Sequence, residues 1–284
     1  MAAMNNVKTA GLLAFLTILL VLVAQSLGVS AGGALVFAAI FNLGAYFFSD
    51  KLALMATGAK PVTEAELPEV YSIVRRLAMK ANMPMPRIYL IDSPQPNAFA
   101  TGRSPKHAVV AVTTGILRIM DNEELEGVLA HELAHIRNRD ILISSIAAML
   151  AAALTILARM AFWFGGSRDR DNPFGAVGAL LALIVGPIAA MFIRFAISRA
   201  REYEADRSGA QITGQPLRLA SALAKIGQAT ARIPMEVNPA VSQLFIDNPL
   251  KAFRGGGILN LLSTHPPIED RIRRLQEMAY GVTR

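Results

Sequence analysis

The feature that most constrains this chain is a run of 41 residues, Thr9 to Ser49, that contains no Asp, Glu, Lys or Arg. A helix crossing a bilayer needs ~20 predominantly apolar residues, so the run is long enough for two spans and a turn. Leu12 to Ala24 forms the core of the first, Gly28 to Gly33 the turn, and Ala34 to Phe48 most of the second. Two further apolar runs follow. Ile141 to Phe164 is broken only by Arg159 near one end, and Pro173 to Ile193 is followed by Arg194, placed to snorkel out of a bilayer. Read as four spans, these runs divide the chain into an N-terminal transmembrane hairpin (residues 1–49), a first polar segment (50–140), a second hairpin (141–196) and a second polar segment (197–284). Two other readings compete. Lys8, the apolar stretch and Val29–Ser30–Ala31 also fit a cleavable signal peptide, and the later runs also fit buried core helices.

Charge orients the spans. Eleven Lys/Arg lie in Asp50–Asp140 and twelve in Ile197–Arg284, whereas the Gly28 turn has none and the 165–175 loop balances Arg168 and Arg170 with Asp169 and Asp171. The positive-inside tendency therefore puts both polar segments and both termini in the cytoplasm. It also accounts for most of the net charge of +7. Basic and aromatic residues are not clustered on one face, so nucleic acid is not an expected partner. With 53% apolar residues the chain is not a disordered one. Because it has no Cys, thiolate metal sites, Cys nucleophiles and disulfides are excluded, and any metal must sit on His and carboxylates.

The chemistry lies just before the third apolar run. Leu125, Val128, Leu129, Leu133 and Ile136 recur at helical spacing, and Asp121 with Glu124 makes an acidic start, so a helix is expected from Asn122 to Asp140. It carries His131–Glu132–Leu133–Ala134–His135, the pattern H-E-x-x-H. Four residues of helix turn by about 400° and rise about 6 Å, so both imidazoles leave one face and can share one metal. A carboxylate at Glu132 can then hold a water in the metal's open position. Two of the chain's four histidines fall in this motif, which favours a zinc site over incidental histidines.

A hydrolytic zinc site needs a third protein ligand, and His107, His265 and carboxylates are the candidates. In Ile197 to Asp206, Glu202 and Asp206 stand one helical turn apart, so one can bind metal while the other holds a ligand imidazole. On spacing alone Glu202 and Glu204 fit equally well as partners of Arg199, Arg201 or Arg207 on a solvated face. His107 is read as starting a strand, away from the metal. Pro86–Asp92, Asn97–Thr101 and His107–Thr113 have strand character, giving a small antiparallel sheet. Leu67 to Met83 reads as an amphipathic helix with Val70, Ile73, Val74 and Leu77 inward. Segments 165–175 and 236–257 read as loops without an assigned role.

Taken together these residues resemble the HtpX-like membrane zinc metalloproteases, relatives of the CAAX prenyl endopeptidases. The likeness runs over nearly the whole chain. It includes the N-terminal spans, Asn97–Ala98–Phe99–Ala100–Thr101–Gly102, the H-E-x-x-H helix, the second pair of spans, Ser198 to Asp206, and His265–Pro266–Pro267–Ile268–Glu269–Asp270–Arg271. The resemblance implies one Zn²⁺ held by His131, His135 and Glu202, with Glu132 as general base and Asp206 supporting the site. It also implies that His265, together with Arg271, stabilises charge on the tetrahedral intermediate, and that Asn97, Ala98 and Phe99 contact an extended substrate along a strand edge. The expected protein is thus a mainly α membrane protein with about four transmembrane helices and a cytoplasmic α+β zinc endopeptidase domain. Its expected setting is the bacterial inner membrane, with the lipid bilayer and unfolded or damaged membrane proteins as partners. The oligomeric state is not readable. The alternative is a non-proteolytic chaperone or transporter component with a structural zinc. Apart from Arg159 and Arg194 near span ends, the spans lack ionisable residues, which disfavours a transporter. An intramembrane protease is disfavoured by the charges flanking H-E-x-x-H, among them Asp121, Glu124, Arg137 and Asp140.

Overall fold

The computed structural model describes residues 2–26, 28–146, 199–238, 241–253 and 265–281. The third and fourth apolar runs, on which two of the four expected spans fall, lie almost wholly outside the described residues.

The N-terminal part is a helical hairpin. α1 (Ala2–Ser26) and α2 (Ala31–Thr57) are joined by a turn in which Gly28 takes φ 83°. Ser30 caps α2 by accepting from the Gly33 amide at 3.3 Å. The two helices meet through small side chains, with Ala34, Ala38 and Ala45 of α2 buried, and through Asn42, whose amide donates to the Thr17 hydroxyl at 2.6 Å. Among the described residues α2 is the one helix long and apolar enough to cross a membrane, with a mean hydropathy of 1.7 over its most apolar window. Leu35, Val36, Ile40, Leu43 and Phe47 on its outer side are exposed, as a lipid-facing stripe would be. α2 ends at Gly58, whose φ of 66° provides the left-handed C-cap.

A four-stranded sheet follows, formed by β1 (Lys60–Pro61), β2 (Arg87–Ile91), β3 (Ala98–Thr101) and β4 (Val109–Thr113) in the order β1-β2-β4-β3. The sheet is mixed, not antiparallel as expected. β3 and β4 form an antiparallel hairpin, but β2 runs parallel to β4. The connection from Asp92 to Asn97 contains Pro94 and Pro96 and cannot fold into a tight hairpin turn; it passes over the end of β4 and delivers β3 to the far edge. Gly115 makes that passage possible, because a Cβ there would lie 2.2 Å from the Pro94 carbonyl oxygen. His107 is not in β4. It closes an exposed 3₁₀ turn, Pro105–His107, away from the metal motif.

Helices pack on this sheet around α5. α3 (Pro68–Lys80) buries Val70, Ile73, Val74 and Leu77, as its periodicity predicts. After the short α4 (Thr114–Ile119), α5 (Asn122–Arg137) begins at a full capping box: Asp121 accepts from the Glu123 and Glu124 amides, and Glu124 accepts from the Asp121 amide. Val128, Leu129, Leu133 and Ile136 of α5 are fully buried, each adding roughly 1.5–3 kcal/mol by leaving water. α6 (Arg199–Thr213), α7 (Pro216–Thr230) and α8 (Ile268–Ala279) complete the domain. Gly209 lets α6 approach α5 closely, since a Cβ would lie 2.8 Å from the His131 backbone nitrogen.

Candidate metal centre

The helical spacing of H-E-x-x-H does what geometry requires of it. His131 and His135 leave the same face of α5 with their Nε2 atoms 3.1 Å apart. α6 then brings Glu202 to within 3.8 Å of His131 Nε2 and 3.5 Å of His135 Nε2. One donor atom each from His131, His135 and Glu202 fall within 4.8 Å of one another, so the three expected ligands converge on one point.

Carboxylates behind the rings fix which nitrogens face that point. Asp206 lies 2.9 Å from His131 Nδ1, and Asp140 lies 3.0 Å from His135 Nδ1. With each Nδ1–H directed at a carboxylate, both Nε2 atoms present lone pairs to each other and to Glu202. Two buried lone pairs and a carboxylate pointing at one spot repel unless a cation lies between them. Among the described residues Glu202 Oε2 lacks a hydrogen-bond partner, as do both ring nitrogens of His265, which supports the same conclusion. The donor set suits a zinc-like ion: two imidazoles and one carboxylate, with room for a fourth ligand.

The electrostatics agree. Burial pushes His131 down, towards the neutral form that binds metal. At His135 burial acts in the same sense, but Asp140, Glu202 and Glu132 outweigh it and push the ring up to about 10. The surroundings thus demand a positive charge, which a divalent cation can supply in place of the proton. Burial would raise Glu202, yet His265, His135 and Arg271 hold it well below the usual carboxylate range. Burial pushes the Glu132 carboxyl up to about 8. A cation beside it pulls towards the ionised form that a base needs.

Arg271 is placed differently from its expected substrate-binding position. It is the largest fully buried side chain, and its guanidinium grips Asp206 bidentately at 2.8 and 2.7 Å while donating to the Ile246 carbonyl at 2.9 Å. It has no face left for substrate. Arg271 instead holds Asp206 against His131, and against the cost of burial it keeps the Asp206 carboxyl down at about 2. His265 lines the cleft, with Nδ1 3.5 Å from Glu202.

Asn97, Ala98 and Phe99 are fully buried, and the chain itself takes their strand edge. The Ile246 backbone amide donates to the Ala98 carbonyl at 2.9 Å, Phe99 pairs with Phe245, and the Asn97 side-chain amide donates to the Asp247 carbonyl at 2.9 Å. None of the three lines the cleft, which Ala100 and Gln243 to Ile246 face instead. The 236–257 segment, unassigned from sequence, thereby gains a place. Asp140 was also missed as a site residue. Its signal is an acidic residue just past the end of the motif helix, where Arg139 at φ 58° turns the chain back towards His135.

The profile of Peptidase family M48 matches residues 64–279. The chain belongs to peptidase family M48. Two "Protease HtpX homolog" proteins are similar over nearly its full length. That of Thermodesulfovibrio yellowstonii is 55% identical over 282 residues, covering 97% of this chain and 99% of its own. That of Burkholderia mallei strain SAVP1 is 51% identical over 280 residues, covering 97% of each. The crystal structure of S. mikatae Ste24p shares the fold at a TM-score of 0.53 and 18% identity, with 94% of this chain matched to 62% of that one. The family is one of metalloproteases, and His131, His135 and Glu202 form a cluster that could hold a metal ion.

Proposed function

We propose that this M48 protease is a zinc-dependent endopeptidase anchored in the bacterial inner membrane, with its catalytic domain in the cytoplasm and unfolded or damaged membrane proteins as substrates. The observation that carries this reading is the convergence of His131, His135 and Glu202 beside the buried Glu132. The exposed apolar stripe of α2, ending at Lys51, supports the anchor.

When bound, zinc lowers the pKa of a coordinated water and polarises the scissile carbonyl. Glu132 accepts the proton of the attacking water and later returns it to the leaving amine. Asp206 and Asp140 hold the two imidazoles in the ligating tautomer. His265, at the cleft wall next to Glu202, donates to the oxygen that gains charge as the carbonyl becomes tetrahedral.

Metal content and cleavage of an unfolded membrane protein by the purified chain test this together. Glu132→Gln should keep its zinc and lose 10²-fold or more in turnover. His265→Ala should keep zinc and lose about 10²–10³ in kcat with little change in KM. Wild-type turnover in the Glu132 variant would refute the mechanism, and zinc loss in the His265 variant would make that residue a ligand.

A further inference from the structure

A second cavity lies away from the metal, where α2 meets the sheet. It measures about 660 Å³ and is bounded on one side by Ile40, Leu43, Gly44 and Phe47 of α2. Lys51, one turn further along α2, closes one end, and the turn that carries Arg103 and His107 lies on the other side. The two halves differ sharply in chemistry. The α2 side continues the apolar stripe, with Ile40 66% and Leu43 59% exposed, and the other side is basic.

The basic groups are arranged. Arg103 lies over the Phe47 ring at 5.2 Å, and Lys51 over the Phe48 ring at 5.3 Å, so each cation is held at the boundary by an aromatic ring. The one acid in the lining, Asp50, is already paired with Arg87 at 3.3 Å. Neither Lys51 nor Arg103 meets a carboxylate among the described residues. His107 is tied by Nδ1 to the Ser104 hydroxyl at 3.0 Å. Two cations without counter-ions among the described residues thus overhang an open apolar slot, Lys51 about one helical turn beyond Phe47.

We infer that this cavity is a binding site for one anionic phospholipid. Its phosphate sits between Lys51 and Arg103, and one acyl chain lies along Ile40, Leu43 and Gly44. The missing side chain at Gly44 leaves space for that chain, since a Cβ there would meet nothing within 4 Å. The apolar half selects a lipid over free phosphate, and the unpaired cations select an anionic headgroup over a zwitterionic one. The placement also has a consequence for the protease. Because Arg103 belongs to the β3–β4 hairpin turn, a lipid held there would tie the sheet edge beside the catalytic cleft to the membrane surface.

The inference rests on α2 lying in a bilayer, as in the proposed function, so the test separates the two. The full chain is floated with vesicles of phosphatidylcholine alone or with phosphatidylglycerol, and the lipid that stays bound after detergent extraction is counted by native mass spectrometry. Wild type should float with both vesicles and retain phosphatidylglycerol over phosphatidylcholine by roughly tenfold or more. Lys51→Gln with Arg103→Gln should still float and bind zinc but lose the preference. Lys51→Arg should keep it, and so should Lys106→Gln, an exposed change in the same turn outside the cavity. Millimolar inorganic phosphate should displace nothing. A wild type that floats without preference, a double variant that keeps it, or displacement by phosphate would overturn the lipid site alone; failure to float would overturn the membrane reading and the lipid site with it.

Discussion

Glu202 and Glu204 are two residues apart and chemically alike, and the fold treats them oppositely. Glu202 is buried at 7% exposure among the histidines, whereas Glu204 is half-buried outside the cluster. Residues two apart on a helix face different sides, so only one can reach the metal. Glu202→Ala should therefore lose zinc and activity while Glu204→Ala changes either by little. Asp206→Ala, which frees His131 Nδ1, should weaken zinc binding by roughly 10–100-fold. Metal content after dialysis against a graded chelator separates the three, and equal retention by the two Glu variants would refute the ligand assignment. At this scale His131 and His135 were legible because a helical period pairs them on one face, whereas the spacing of Glu202 and Asp206 fitted a solvated face equally well and only the family resemblance singled them out. The site was not legible where long-range packing decides. Nothing local marks Arg271 as the guanidinium that closes on Asp206 from 65 residues away, and nothing local shows that Phe245 covers Phe99.

Between elements, the contact of α5 with α6 positions the ligands, and it depends on Gly209. A methyl group at that position would lie 2.8 Å from the His131 backbone nitrogen and 3.0 Å from its Cα, atoms that cannot move aside. Gly209→Ala should thus push α6 away from α5, cost about 1–3 kcal/mol as overpacking does, and lower zinc affinity although no ligand has changed. Unaltered thermal unfolding and metal content would count against this. The start of α5 is secured separately. Burial would raise the Glu124 carboxyl, but Lys225 at 2.6 Å and Ser221 at 2.7 Å on α7, with the Asp121 amide, lower it overall. A carboxyl lowered in the folded state stabilises the fold above its unfolded pKa of about 4.3, and this is lost as pH falls through the folded value. Urea unfolding of wild type and Glu124→Gln should therefore differ at pH 7 by about 1–2 kcal/mol and converge below pH 4. The helices were readable because an apolar face and a cap are both local. The parallel pairing of β2 with β4 was not, because strand composition gives neither direction nor partner.

For the molecule as a whole, the metal centre constrains the topology more strongly than hydropathy does. His131 and His135 precede residues 147–198, Glu202 follows them, and the three donor atoms come within 4.8 Å of one another. α5 and α6 must then lie on the same side of any bilayer. The chain between them must cross the membrane an even number of times, and the two apolar runs Ile141–Phe164 and Pro173–Ile193 match two crossings. α2 runs into the catalytic domain through Lys51 and Lys60, and the proposed cytoplasmic side rests on the positive-inside tendency of the basic residues beyond it. Reporters fused after Lys60 and at Arg284 should accordingly behave as cytoplasmic, and one inserted in 165–175 as external. An external reporter at Arg284 would mean an odd number of crossings between Lys60 and the C-terminus. With α6 beyond those crossings it would put Glu202 across the membrane from the two histidines, a result incompatible with a single metal centre. A cytoplasmic reporter in 165–175 would leave the metal centre intact but replace the second hairpin with helices buried in the domain.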